Sequence, residues 1–152
     1  MKYWLMKSEP DVLSIDDLKS KKKTGWDGVR NYQARNFMRD EMKKGDLILI
    51  YHSSCKVPGV YGVGKVTKES MPDPTQFEKK SQYFDPKATH DEPRWFMVEV
   101  GFVKKFKQAV TLEFMKSEKS LGDMIVLKKG SRLSITPVEK KDFEKVSAFG
   151  EA

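Results

Sequence analysis

Gly45-Asp46-Leu47-Ile48-Leu49-Ile50-Tyr51-His52 is the stretch that decides how this chain is built. Gly45-Asp46 marks a turn, and the residues after it are apolar in both phases of the two-residue strand period. A strand with one wet face alternates apolar with polar, so one that does not alternate must be covered on both sides. The stretch therefore predicts a central strand or one wall of a small closed barrel.

Reading outward, Val57-Pro58-Gly59 is a second turn, and residues 60–67 form a second strand. Glycines 59, 62 and 64 lack the order Gly-x-Gly-x-x-Gly and lead into β-prone sequence. They read as bends or bulges where backbones approach closely, not as a phosphate loop. Upstream, residues 3–7 make a strand that Pro10 brings to a stop. Ser14 and Asp17 have the spacing of a helix capping box, and the lysine-rich run 19–23 suits the helix's solvated end. Downstream, residues 96–106 and 132–136 read as strands, the latter stopped by Pro137. Helices are expected from Thr111 and over 139–149, the last burying Phe143, Val146 and Phe149. Residues 70–94 carry four prolines, but Phe77, Tyr83, Phe84 and Trp95 supply apolar area to pin the segment down. With no repeat, linker or second core, residues 1–152 are expected to form a single α+β domain, a small mixed β-barrel with peripheral helices.

Composition narrows the functional classes. The 152 residues carry 29 Lys and Arg against 22 Asp and Glu, a net charge of +7 that favours polyanionic partners. One cysteine, Cys55, excludes an intrachain disulfide, and two histidines, His52 and His90, make a zinc site unexpected. No metal or cofactor is expected. The N-terminus does not have the form of a signal peptide and no apolar run reaches the length of a membrane span. A monomer in a reducing, cytoplasmic setting is expected, nucleoid-associated or nuclear according to the cell type.

His52-Ser53-Ser54-Cys55 suggests nucleophilic catalysis on a nucleotide or small metabolite. On an extended strand, however, His52 and Cys55 lie an odd number of residues apart and point to opposite faces. Adjacent pairs such as Asp16-Asp17, Asp40-Glu41 and Asp91-Glu92 read as solvated charge. The more chemically specific run is Trp26-Asp27-Gly28-Val29-Arg30-Asn31-Tyr32-Gln33-Ala34-Arg35-Asn36. Asn31 suits a helix N-cap, and the helix after it would bury Ala34, Phe37, Met38 and Met42. Arg35, Arg39 and Lys43 form a ridge that this apolar stripe leaves in solvent. Trp26 does not fit the stripe; it is either a packing tryptophan or a face on which a base stacks. Asn31 and Gln33 each carry a donor and an acceptor suited to a base edge, while Arg30, Arg35 and Arg39 suit phosphates.

Lys2-Tyr3-Trp4-Leu5-Met6-Lys7-Ser8-Glu9-Pro10, the run from Trp26 to Asn36, and Gly45-Asp46 through Tyr51-His52-Ser53 together resemble the EVE domain family. Pro72-Asp73-Pro74-Thr75, Tyr83-Phe84-Asp85-Pro86-Lys87, Pro93-Arg94-Trp95 and Arg132-Leu133-Ser134 extend the likeness along nearly the whole chain. The resemblance implies a PUA-like fold related to the YTH domain and non-catalytic recognition of modified bases in DNA or RNA. By the same likeness, Trp26 would wall an aromatic cage, with Ser8, Asn31, Tyr32 and the Tyr51-His52-Ser53 segment nearby and the proline-rich loop as roof.

Overall fold

The last six residues of that stretch form β3 (Leu47–His52) at the middle of the sheet. β1 (Tyr3–Ser8) lies parallel on one side of it, with Leu5 opposite Leu49. β4 (Gly59–Pro72) runs antiparallel on the other, with Leu49 opposite Val63. Both faces are covered as the pattern demands. Ile48 and Ile50 pack with Trp4, Met6 and Met38 on one side. Leu49 and Tyr51 pack with Leu5, Val60 and Phe143 on the other. The buried Asp46 carboxylate fastens the start of this pair, accepting from the Lys2 N–H at 3.1 Å, Trp4 Nε1 at 3.0 Å and the Lys43 N–H at 3.0 Å.

The structure, a computed structural model, describes residues 1–128 and 132–152. Its sheet has six strands in the order β2-β5-β4-β3-β1-β6, with β2 at Lys23–Gly25, β5 at Phe96–Thr111 and β6 at Ile135–Val138. The mixed α+β class matches the sequence reading, but the barrel does not close: β2 and β6 remain the two edges. Pro137 does not stop the last strand either. It sits inside β6 opposite Trp4, on an edge where a missing N–H costs no ladder bond. β2 was hidden in the lysine run because three residues show no period; it pairs with Gly101, Val100 and Glu99 of β5. Close backbone approach is real at Gly62, where a Cβ would stand 2.4 Å from the Lys104 carbonyl oxygen.

The helices lie around this sheet. α1 (Ile15–Lys21) has its reciprocal cap, Ser14 Oγ accepting from the Asp17 N–H at 3.0 Å and Asp17 accepting from the Ser14 N–H at 2.9 Å. α2 (Tyr32–Asn36) is shorter than its periodicity suggests and runs into a π turn over Phe37–Glu41. There the Met42 N–H reaches the Phe37 carbonyl at 2.8 Å, and Ala34, Met38 and Met42 are all buried. α3 (Leu112–Ser117) is capped by Thr111, and α4 (Lys140–Glu151) buries Phe143 and Val146. No described helix is long and apolar enough to cross a membrane.

Candidate base-binding cleft

Where β1, the end of β2 and the approach to α2 meet, they leave a cleft of about 780 Å³. Trp26 stands on its wall because its N–H continues the β2–β5 pairing to the Val98 carbonyl at 2.9 Å. Only 5% of Trp26 is exposed, so most of the ring packs in the core with Val29, Met38 and Val98 and only a margin borders the cleft. The chain then turns at Gly28, whose φ of +79° favours a residue without a Cβ. A Cβ there would also strike the Tyr83 ring at 2.8 Å.

That turn is held by the proline-rich loop. Asp73, fully buried, accepts from the Gly28 N–H at 2.8 Å, the Arg30 guanidinium at 3.1 Å and the Thr75 N–H at 2.8 Å. Gln76, also fully buried, donates to the Asp73 and Trp95 carbonyls and accepts from the Arg94 and Trp95 N–H groups. Asp85 accepts from the Lys87 N–H at 2.9 Å and from Trp95 Nε1 at 2.8 Å, and these bonds, the first foremost, lower its pKa below the ordinary value. The loop is thus tied down, and Gln82 and Tyr83 border the cleft.

Of the residues expected in the site, the fold gathers Ser8, Trp26, Arg30, Asn31 and Ser53 around one opening. Ser8 Oγ donates to the Leu13 carbonyl at 2.5 Å, and the Ser53 N–H reaches the Ser8 carbonyl at 2.9 Å. Asn31 caps α2, its Oδ1 accepting from the Ala34 N–H at 3.0 Å. Four other residues expected there do not line the opening. Gln33 is exposed on α2, outside the cleft lining. Tyr32 stacks on Trp95 with ring centroids 4.8 Å apart and takes a hydrogen bond from Arg94. Tyr51 belongs to the opposite face of the sheet. His52 is buried, stacks on Tyr61 at 4.0 Å, and its Nε2 accepts from the Ile15 N–H at 3.1 Å.

Of the ridge the spacing suggests, Arg39 and Lys43 are exposed and Arg35 is half-buried; the arginines expected to meet phosphate are nonetheless engaged within the chain. Arg30 spends its five N–H donors on Val29, Asp73, Thr75 and Tyr83, so it clamps the loop instead of standing free for phosphate. Arg35 donates to the Arg94 carbonyl and to Asn36, and Arg39 pairs with Asp40 at 2.9 Å. The cations that do border the cleft with Arg30 are Lys7, Lys21 and Arg132, against the carboxylates of Glu9 and Asp27. Burial lowers the Lys7 pKa, and its ammonium lies 5.7 Å from the centre of the Tyr51 ring. Lys7, Asp27 and Arg132 lay inside recognisable stretches, but only the sheet order shows that they share a wall.

The chain is thus an α+β protein with an open mixed sheet, capped helices around it and a net basic cleft at one end of the parallel strand pair. The chain belongs to the EVE domain family, whose model matches residues 2–149. It is 44% identical to human thymocyte nuclear protein 1 over 167 aligned positions, covering 98% of this chain and 74% of that protein. A crystal structure of human THYN1 protein in complex with 5-methylcytosine containing DNA superposes with a TM-score of 0.92 at 44% identity, covering 100% of this chain and 99% of that one. A protein from Pseudomonas syringae superposes with a TM-score of 0.93 at 47% identity, covering 97% of this chain and 99% of that one.

Proposed function

We propose that residues 1–152 act as one EVE domain that binds a modified base of DNA or RNA in this cleft, without turnover. The observation that carries the reading is the cleft itself: the margin of a rigidly held tryptophan beside Asn31, Ser8 and Ser53, with Lys7, Lys21 and Arg132 at its border. An aromatic edge offers apolar contact to a base, hydrogen-bonding groups read its edge, and cations attract the backbone it belongs to. The relative crystallised with 5-methylcytosine containing DNA supports the same reading and makes that base the first to test. Catalysis through His52 with Ser53 or Cys55 is disfavoured because His52 Nε2 already accepts the Ile15 N–H inside the fold.

A base must leave its stack to enter such a cleft, so single-stranded sites should bind better than paired ones by the few kcal/mol that flipping costs. Fluorescence titration of short oligonucleotides with and without 5-methylcytosine tests the proposal. The modified strand should bind more tightly, and Trp26→Phe, which keeps an aromatic ring in the core, should weaken binding without unfolding the chain. Equal affinity of wild type for modified and plain strands would sink it.

A further inference from the structure

Tyr83, Arg30, Trp95 and Tyr32 lie one against the next, from the cleft border to the surface. The Arg30 guanidinium stands 5.4 Å from the centre of the Tyr83 ring and 5.1 Å from that of Trp95, and Tyr32 stacks on Trp95 at 4.8 Å with the rings 20° apart. The inner members are fixed: Arg30 by Asp73, Thr75 and the Tyr83 carbonyl, and Trp95 by Gln76 and Asp85. Tyr32 ends the series and is 48% exposed, although Trp95 covers one of its faces. The neighbouring cations do not cover the other. Arg35 lies 4.7 Å from the centre of the Tyr32 ring and 5.9 Å from that of Trp95. A guanidinium over the outer face would stand much farther from Trp95, so Arg35 shares the inner side. Arg94 meets the ring at its rim, donating to the Tyr32 hydroxyl. Among the described residues no other ring stacks on Tyr32, so a rigidly seated aromatic face is left open to solvent.

We infer that this outer face of Tyr32 is a stacking platform for a nucleobase that flanks the one in the cleft. Tyr32 follows Asn31, which borders the cleft, at a Cα step of about 3.8 Å, so one strand can reach both places. The ring is already held by Trp95 and Arg94, so seating a base on it costs little side-chain ordering. The surroundings suit a polyanion: Arg35, Arg39 and Arg94 act on one another as like charges, while Asp40 and Asp85 offset only two of the three. The inference rests on the cleft reading above and extends it along the same strand. The cleft takes the modified base, and Tyr32 adds affinity that is blind to sequence, because every base has a face to stack.

The test uses fluorescein-labelled single-stranded oligothymidylate with one central 5-methylcytosine, its other bases either all present, removed on the 5′ side, or removed on the 3′ side as abasic sugars. Each strand is titrated by anisotropy against wild type, Tyr32→Phe and Tyr32→Leu. Wild type should lose about five- to a hundred-fold in affinity when the bases on one side are removed, the range for one stacked base. Tyr32→Leu keeps an apolar cover on Trp95 but has no ring; it should bind the intact strand more weakly by the same factor and lose nothing further to the abasic side. Tyr32→Phe keeps the face and should behave as wild type. Wild type that is indifferent to abasic sugars on both sides overturns the platform, whatever the variants do. So does an abasic penalty that Tyr32→Leu suffers in full, or a loss in Tyr32→Phe equal to that in Tyr32→Leu, which would assign the effect to the hydroxyl. A strand with plain cytosine at the centre separates this from the cleft reading. Tyr32→Leu should keep the wild-type preference for 5-methylcytosine. A wild type that shows no such preference but retains the Tyr32-dependent flank effect overturns the cleft reading and leaves the platform in place.

Discussion

Asp73 does not border the cleft, yet the Gly28 turn, Arg30 and the start of the proline-rich loop all converge on its carboxylate. Its side chain is fully buried and that of Arg30 is 22% exposed, so removing one partner leaves a largely desolvated charge unmatched. Asp73→Ala should therefore destabilise the fold by about 3 kcal/mol, at the low end for a buried pair because Arg30 keeps some water. Urea denaturation measures this, and Arg30→Gln in the Asp73→Ala background should recover part of the loss. His52 supplies a pH signature. Burial lowers its pKa below the ordinary 6.5, with Asp16 and Asp17 opposing the shift only weakly. The unfolded chain then binds this proton more readily than the folded one, so the contribution to stability is complete above about 6.5 and is lost as pH falls through the folded value. Between pH 8 and pH 5, His52→Gln, which can still accept the Ile15 N–H, should lose less stability than wild type in parallel urea titrations.

At the scale of the element, β3 is the test of the two-faced reading. Leu49 and Ile50 are adjacent, both essentially unexposed, and belong to cores on opposite faces of the sheet. Leu49→Ala and Ile50→Ala should each cost about 2–5 kcal/mol, and the double variant about the sum, since the two cavities open on separate faces. A one-sided strand would show one large and one small effect in the same melts. The helix starts were equally open to reading from sequence. Ser14, Asn31 and Thr111 all cap as polar residues at helix mouths do, because the cap bond is made within three residues of itself. β2 and the inclusion of Pro137 in β6 were not open in this way: both are edge features defined by a partner strand far along the chain.

At the scale of the whole molecule, the net charge of +7 reaches the cleft through residues other than the ridge of Arg35, Arg39 and Lys43. Arg35 and Arg39 are held by groups of the same chain away from the opening, and Arg30 borders the cleft with its donors spent on the chain, beside Lys7, Lys21 and Arg132. Arg132→Gln should accordingly weaken oligonucleotide binding across sequences and lower the slope of log affinity against log salt by about one. Arg39→Gln, whose charge Asp40 already offsets away from the cleft, should leave the slope unchanged. Fluorescence titrations between 50 and 200 mM salt, about the range over which such contacts weaken most visibly, separate the two. By itself the sequence determined the covered strand at residues 47–52, the capped helix mouths, the close-packed glycine at 62 and the tied proline-rich segment. Those features depend on a residue's neighbours, on its side-chain period, or on how much apolar area a segment carries. Only the tertiary structure decided that the sheet stays open, that Tyr51 and His52 turn into the interior, that Asp73 takes Arg30, and that Asp27, Asn31, Lys7 and Arg132 share one cleft. These outcomes depend on which strands lie side by side and which buried carboxylate reaches a cation first, and no local pattern carries that information.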